Sequence, residues 1–133
     1  MRRILNFALL IVLINISYSC TKAEGDWEDN IKLSTKKVEF SALGDSVIVT
    51  TGGSWWWINN ISVNGNYFHA ASDSICDLDS YLIAHDCFIV ERRDKHTLFV
   101  KVDENPLNEK RIILVELEAG DYFDSVTITQ KAK

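Results

Sequence analysis

The residues with the most chemical potential lie in Trp55-Trp56-Trp57, followed two positions later by Asn59. Three of the chain's four tryptophans stand in that line. An indole offers a flat apolar face carrying partial negative charge. The polarised C–H face of a pyranose can lie on such a ring while a neighbouring amide or carboxylate fixes its hydroxyls. Trp55, Trp56, Trp57 and Asn59 are therefore the candidate ligand-binding residues. The same rings equally suit a core, since aromatic side chains dominate the buried area of small domains. A second group is Cys76, His85 and Cys87, with His69 and Asp86 close in sequence. It lacks the paired C-x-x-C or H-x-x-x-H framework of a zinc site, so no metal is expected. Asp73, Asp77 and Asp79 lack the glycine and terminal glutamate of a calcium loop. Cys76 and Cys87 form a candidate disulfide, whose short loop would contribute about 3 kcal/mol; two buried thiols are the other reading. No G-x-S-x-G and no glycine-rich phosphate loop occurs. Paired carboxylates for glycoside hydrolysis would need a cleft that so small a domain has little room for. The chain reads as no enzyme, and no cofactor is expected.

Those rings need a strand to hold them. On a strand, Trp55 and Trp57 share one face and Trp56 and Ile58 the other. Ile61 and Val63 keep the parity of Trp55 and Trp57, unless Asn59-Asn60 bulges the chain and flips it. Either face satisfies the pattern. A sandwich strand has a single inner face, so at least one ring points outward and needs a cover or a ligand.

The remaining segments read as further strands. Val38 and Phe40 alternate with Glu39 and Ser41, and Ala42-Leu43-Gly44-Asp45 is a turn. Val47 and Val49 alternate with polar neighbours up to Gly52-Gly53. Asn64-Gly65 is a strong turn signal. Asn66 to Asp86 shows no clear period apart from Tyr81-Leu82-Ile83, and is the candidate cover for outward rings. Phe88–Glu91 and Thr97–Val102 flank a hairpin turn, with Leu98, Val100 and Val102 inward. Arg92-Arg93-Asp94-Lys95 reads as a solvated part of that turn. Ile112 to Leu117 reads as a strand buried on both faces. Tyr122 to Gln130 closes the chain with Val126 and Ile128 inward. The expectation is all-β: 7–8 short antiparallel strands in two packed sheets.

The first thirty residues stand apart. Arg2-Arg3, an apolar run from Leu5 to Ile16 and Ser17-Tyr18-Ser19 precede Cys20, the layout of a signal peptide over residues 1–19. A cysteine directly after such a site resembles a bacterial lipobox, which makes Cys20 the candidate lipidation site; ordinary cleavage leaving a thiol is the plainer reading. Residues 20–30 are polar and acidic and read as a tether. The domain then spans 31–133. Of 14 basic residues two lie before Cys20, and all 19 acids lie after it, so the remainder carries 12 basic residues and a formal net of −7. That balance excludes nucleic acid as a partner, because phosphate contacts need clustered Lys and Arg.

The order of motifs resembles the BACON domain, a Bacteroidetes-associated carbohydrate-binding, often N-terminal module. The matching stretches are Val38-Glu39-Phe40-Ser41-Ala42, Asp45 to Thr51, the tryptophan strand, Leu98 to Val102 before Asn105, Arg111 with its apolar strand, and Gly120 to Gln130. The segment from Asn66 to Asp86 does not align. The resemblance implies an immunoglobulin-like β-sandwich and a small cell-envelope lipoprotein, lipid-anchored at the outer membrane on the cell surface. It implies a carbohydrate-binding role with no catalytic residues; the competing reading is a structural spacer or protein-interaction module without sugar affinity. The expected partners are the membrane, through the N-terminal lipid, and a glycan or an envelope protein. Asp45-Ser46-Val47, Asp73-Ser74-Ile75 and Asp124-Ser125-Val126 also resemble the short O-glycosylation pattern of that bacterial group.

Overall fold

The computed structural model describes residues 28–69 and 75–133. Among them nine strands form: β1 Lys37–Phe40, β2 Asp45–Thr50, β3 Trp57–Val63, β4 Asn66–His69, β5 Tyr81–His85, β6 Phe88–Asp94, β7 Thr97–Val102, β8 Arg111–Ala119 and β9 Tyr122–Gln130. They make an all-β, immunoglobulin-like sandwich. One sheet has the order β1-β9-β8-β3-β4 and the other β2-β7-β6-β5. The expected signal peptide over residues 1–19 and the candidate lipidation residue Cys20 lie outside the described residues, as do Trp27 and Asp73-Ser74.

Alternation of side chains builds the core directly. Ile113, Val115 and Leu117 of β8 are fully buried, and so are their rung partners Ile61 and Ile58 of β3 and Val126 and Ile128 of β9. Leu98, Val100 and Val102 of β7 face them from the second sheet, as their parity predicts. Burying each such side chain contributes about 1.5–3 kcal/mol before ordering costs.

Four expectations need correction. Among the described residues the strands number nine, because Asn66–His69 pairs with β3 across the Asn64-Gly65 turn; four residues are too few to show a period. The sandwich is not purely antiparallel: β1 runs parallel to β9, after which the chain crosses to the other sheet as β2. The crossing is made at Gly44, whose φ is 84° and where a Cβ would collide with the carbonyl oxygen of Val102. The apolar run Ile112 to Leu117 is buried on one face only; Ile112 is exposed and Leu114 half-covered. Finally, Arg92 is no solvated turn residue but is 3% exposed, because β6 continues to Asp94 and carries it inward.

The open end of the sandwich is closed by polar groups. Gln130 is fully buried; its Nε2 donates to the carbonyls of Asp103 at 2.9 Å and Ala42 at 3.3 Å, and its Oε1 accepts from Arg111 Nη1 at 3.1 Å. Asn105, also fully buried, donates to the carbonyls of Glu109 at 2.7 Å and Lys131 at 3.1 Å. These bonds satisfy loop carbonyls that the sheets leave without partners.

Candidate functional site

Parity resolves the tryptophan run. Trp56 is 0% exposed, its indole nitrogen donates to the Lys95 carbonyl at 2.8 Å, and the Arg92 guanidinium lies 4.6 Å from its ring centroid. It is a core residue and leaves the set of ligand candidates. The reason lies at Asn59. Ile58 pairs with Leu117 and Asn60 with Glu116, so Asn59 is an extra residue without a rung partner. This bulge lets both Ile58 and Ile61 face inward, although an unbroken strand would set them on opposite faces.

Trp57 lies on the outer face instead. It pairs with Glu118, and Glu118 pairs with Phe123, so Trp57, Glu118 and Phe123 form one outward rung across β3, β8 and β9. Trp55 is 67% exposed and Phe123 56%. The Trp55 and Trp57 rings meet edge to face, 5.5 Å apart at 75°. Trp55 leans over the β8–β9 turn: a Cβ on Gly120 would sit 3.2 Å from its Cζ3. The next outward rung carries Asn60, Glu116 and Ser125. Asn59 is half-buried beside these rungs. Of the four candidates, the fold thus brings Trp55, Trp57 and Asn59 to one outer surface.

Sequence reading missed Phe123 and Glu118. A signal for Phe123 existed: it shares the parity of Ser125, Thr127 and Thr129, the outward set of β9. Its nearness to Trp57 is a matter of sheet order and has no local trace.

The inner side of the tryptophan segment is held by Arg92. Its Nη2 donates to the Ser54 carbonyl at 3.0 Å and its Nη1 to that of Leu78 at 2.7 Å, while its buried Nε makes no hydrogen bond. Burial lowers the affinity of this guanidinium for its proton, opposed by Tyr81, Asp79 and Asp94. Tyr81, its rung partner, accepts from the Ile58 N–H at 2.8 Å. Burial pushes the Tyr81 phenol up, against the pull of that N–H and of Arg92.

The structure shows no disulfide between Cys76 and Cys87. Cys76 bears electrostatically on Tyr81. Cys87 follows the end of β5, near Arg111, and burial pushes its thiol up. His85 is taken up by aromatic packing, 4.1 Å from the Phe68 centroid and stacked at 18° on Phe88. Among the described residues no three His, Cys, Asp or Glu side chains are grouped to hold a metal ion. Ser46 is exposed on β2, and Ser125 is half-buried on β9.

Open grooves among the described residues include the following two. One of about 440 Å³ is lined by Glu28, Asp29, Asn30, Lys32, Gly52 and Gly53. Another, of about 310 Å³, lies between the β1–β2 turn and the end of β7. Neither is lined by an aromatic ring.

No family model matches the chain, and no curated protein matches it in sequence. Among solved structures it is similar to a protein from Bacteroides thetaiotaomicron determined by NMR, with a TM-score of 0.63 and 21% identity over 86% of this chain and 95% of that one. A Bacteroides ovatus GH5 xyloglucanase, solved with a XXXG heptasaccharide, matches with a TM-score of 0.48 and 15% identity over 77% of this chain and 19% of that one. The first likeness shows that the fold recurs in a whole chain of similar size.

Proposed function

We propose that this chain is a non-catalytic, carbohydrate-binding lipoprotein of the bacterial cell envelope. In this reading a BACON-like domain is held to the outer membrane by lipid on Cys20, and it presents Trp55, Trp57 and Phe123 to a glycan. The observation that carries it is the outward aromatic patch on the rung Trp57-Glu118-Phe123, with Trp55 two-thirds exposed. Large rings left in water have a cost that burial would remove, and aromatic faces beside carboxylates and amides are chemically suited to pyranose rings. Calorimetric titration of the full-length protein in mild detergent against plant and host polysaccharides tests it. Binding weakened about tenfold or more by Trp55→Ala or Phe123→Ala is the expected result. No binding across the panel, or binding indifferent to both substitutions, removes the reading.

A second reading has its own support. Trp55 and Trp57 stand at 75° to each other and so offer no continuous flat platform. The second sheet also shows an outward rung Ile48-Phe99-Glu91-Leu82, of which Ile48 and Leu82 are exposed. These features suit a spacer or protein-interaction module without sugar affinity. Crosslinking in intact envelopes checks it; a protein that crosslinks to no neighbour argues against it.

A further inference from the structure

The outward rungs say what kind of glycan chain this surface accepts, if the carbohydrate reading above holds. Trp57 and Phe123 are separated by one strand, β8, hence by two inter-strand steps, about 10 Å. Trp55 reaches over Gly120 toward the space between them. Under that space lies Glu118. A chain crossing the strands at right angles would meet a ring, a carboxylate and a ring in turn. In an extended β-1,4-linked hexopyranose chain successive sugars turn over, so the same C–H face recurs at every second sugar. The two rings then take alternate sugars, and the Glu118 carboxylate accepts hydroxyl hydrogen bonds from the sugar between.

Charge narrows the class further. The rung Trp57-Glu118-Phe123 and its neighbour Asn60-Glu116-Ser125 contain two acids and no Lys or Arg. Asp121 in the adjoining turn adds a third acid. Neither Glu116 nor Glu118 forms an ion pair with a described residue; the pairs present lie at Lys36–Asp124, Arg93–Glu91, Lys95–Asp79, Lys101–Asp103 and Lys133–Glu104. A uronate laid across the rings would place its carboxylate beside these unneutralised charges, whereas a neutral sugar would not and an amino sugar would be attracted.

We infer that the surface formed by Trp55, Trp57, Glu118 and Phe123 binds an extended β-1,4-linked glycan of neutral or amino sugars, lying across β3, β8 and β9, and rejects its uronic-acid counterpart. The test uses β-1,4-mannohexaose and β-1,4-mannuronate hexamer, which share linkage and backbone and differ by the oxidised carbon, with cellohexaose and a chitosan hexamer beside them. The full-length protein in neutral detergent at low salt is titrated with each. A neutral hexamer is expected to bind at least about tenfold tighter than the uronate. Glu116→Gln with Glu118→Gln should narrow that gap to about threefold or less, whereas Glu109→Gln, an exposed acid in the β7–β8 loop, should leave it unchanged. Both site substitutions are isosteric and outward, and circular dichroism checks that the sheets persist. The neutral hexamer should also bind about tenfold tighter than the disaccharide, a gain that Phe123→Ala abolishes. Equal affinity for the neutral and uronate hexamers, a gap indifferent to the Gln substitutions, or a length gain that survives Phe123→Ala overturns the inference. So does binding confined to glycans other than the β-1,4 hexamers; in each of these cases the carbohydrate reading itself stands. Absence of binding to every oligosaccharide and polysaccharide overturns both.

Discussion

Adjacent tryptophans in one run have opposite physical roles. Trp56 fills the core under Arg92, so Trp56→Ala should cost about 3–5 kcal/mol in equilibrium urea unfolding, through lost burial and a residual cavity. Trp55→Ala should change stability by no more than about 0.5 kcal/mol, because the ring is mostly in water already. A large loss for Trp55→Ala would mean that its ring is covered. Gly120 ties the two problems together. Its φ of 63° disfavours any side chain, and a Cβ there presses on the Trp55 ring. Gly120→Ala should therefore cost about 1–2 kcal/mol and shift the tryptophan emission as Trp55 is displaced. Unchanged emission would place Trp55 elsewhere. The candidate rings were legible in the sequence as a surplus of tryptophan, but not their division into core and surface. A single extra residue, Asn59, sets that division, and Asn-Asn is equally at home in a turn, a strand or a bulge.

The tryptophan strand is positioned by an element from the other sheet. Arg92 of β6 reaches the carbonyls of Ser54 and Leu78 and stacks on Trp56, so it joins the approach to β3 with the approach to β5. Arg92→Ala leaves two carbonyls without their donor and a gap beside an indole, which should cost about 3 kcal/mol or more. Hydrogen exchange should quicken first in the amides around residues 54–57 and 75–80; exchange that quickens uniformly would mean that Arg92 merely fills space. Sequence reading set Arg92 in a turn because its neighbours Arg93, Asp94 and Lys95 are charged. β6 runs further than its apolar core suggests, and an inward position then falls on a guanidinium. The hairpins β6–β7 and β8–β9 were legible because alternation and turn residues agree over six residues or more. β4 was not, since four residues between a turn and an aperiodic stretch carry no measurable period.

At the scale of the whole molecule, titration limits the pH range of the fold. Backbone N–H groups of the β6–β7 turn, led by His96 at 2.7 Å, hold the Asp94 carboxyl below the usual range. For Asp29, burial pushes upward, but the N–H groups of Lys32 and Ile31 outweigh it and the net shift is down. A folded-state value below the unfolded one contributes stability above the unfolded value, and the contribution disappears as pH falls through the folded value. The melting temperature should therefore hold down to about pH 5 and drop below about pH 4. Asp94→Asn should lower it at neutral pH and make the acid drop shallower; a parallel drop in the variant would remove Asp94 from the account. At the other extreme, burial raises Cys87 and Tyr81. Their contribution is complete below the ordinary thiol and phenol values and is lost as pH rises past about 8.5 and 10.

The amino-acid sequence by itself determined that the domain is all-β, with most of its strands, turns and inward residues. Those follow from contacts between neighbours two residues apart, where side-chain alternation is local and strong. It also determined which rings are in surplus. Only the tertiary structure decided which of them meets water, and that Glu118 and Phe123, some sixty residues further on, share a rung with Trp57. Sheet order and the bulge at Asn59 are properties of strand pairing across the chain, and no local pattern records which strand becomes whose neighbour.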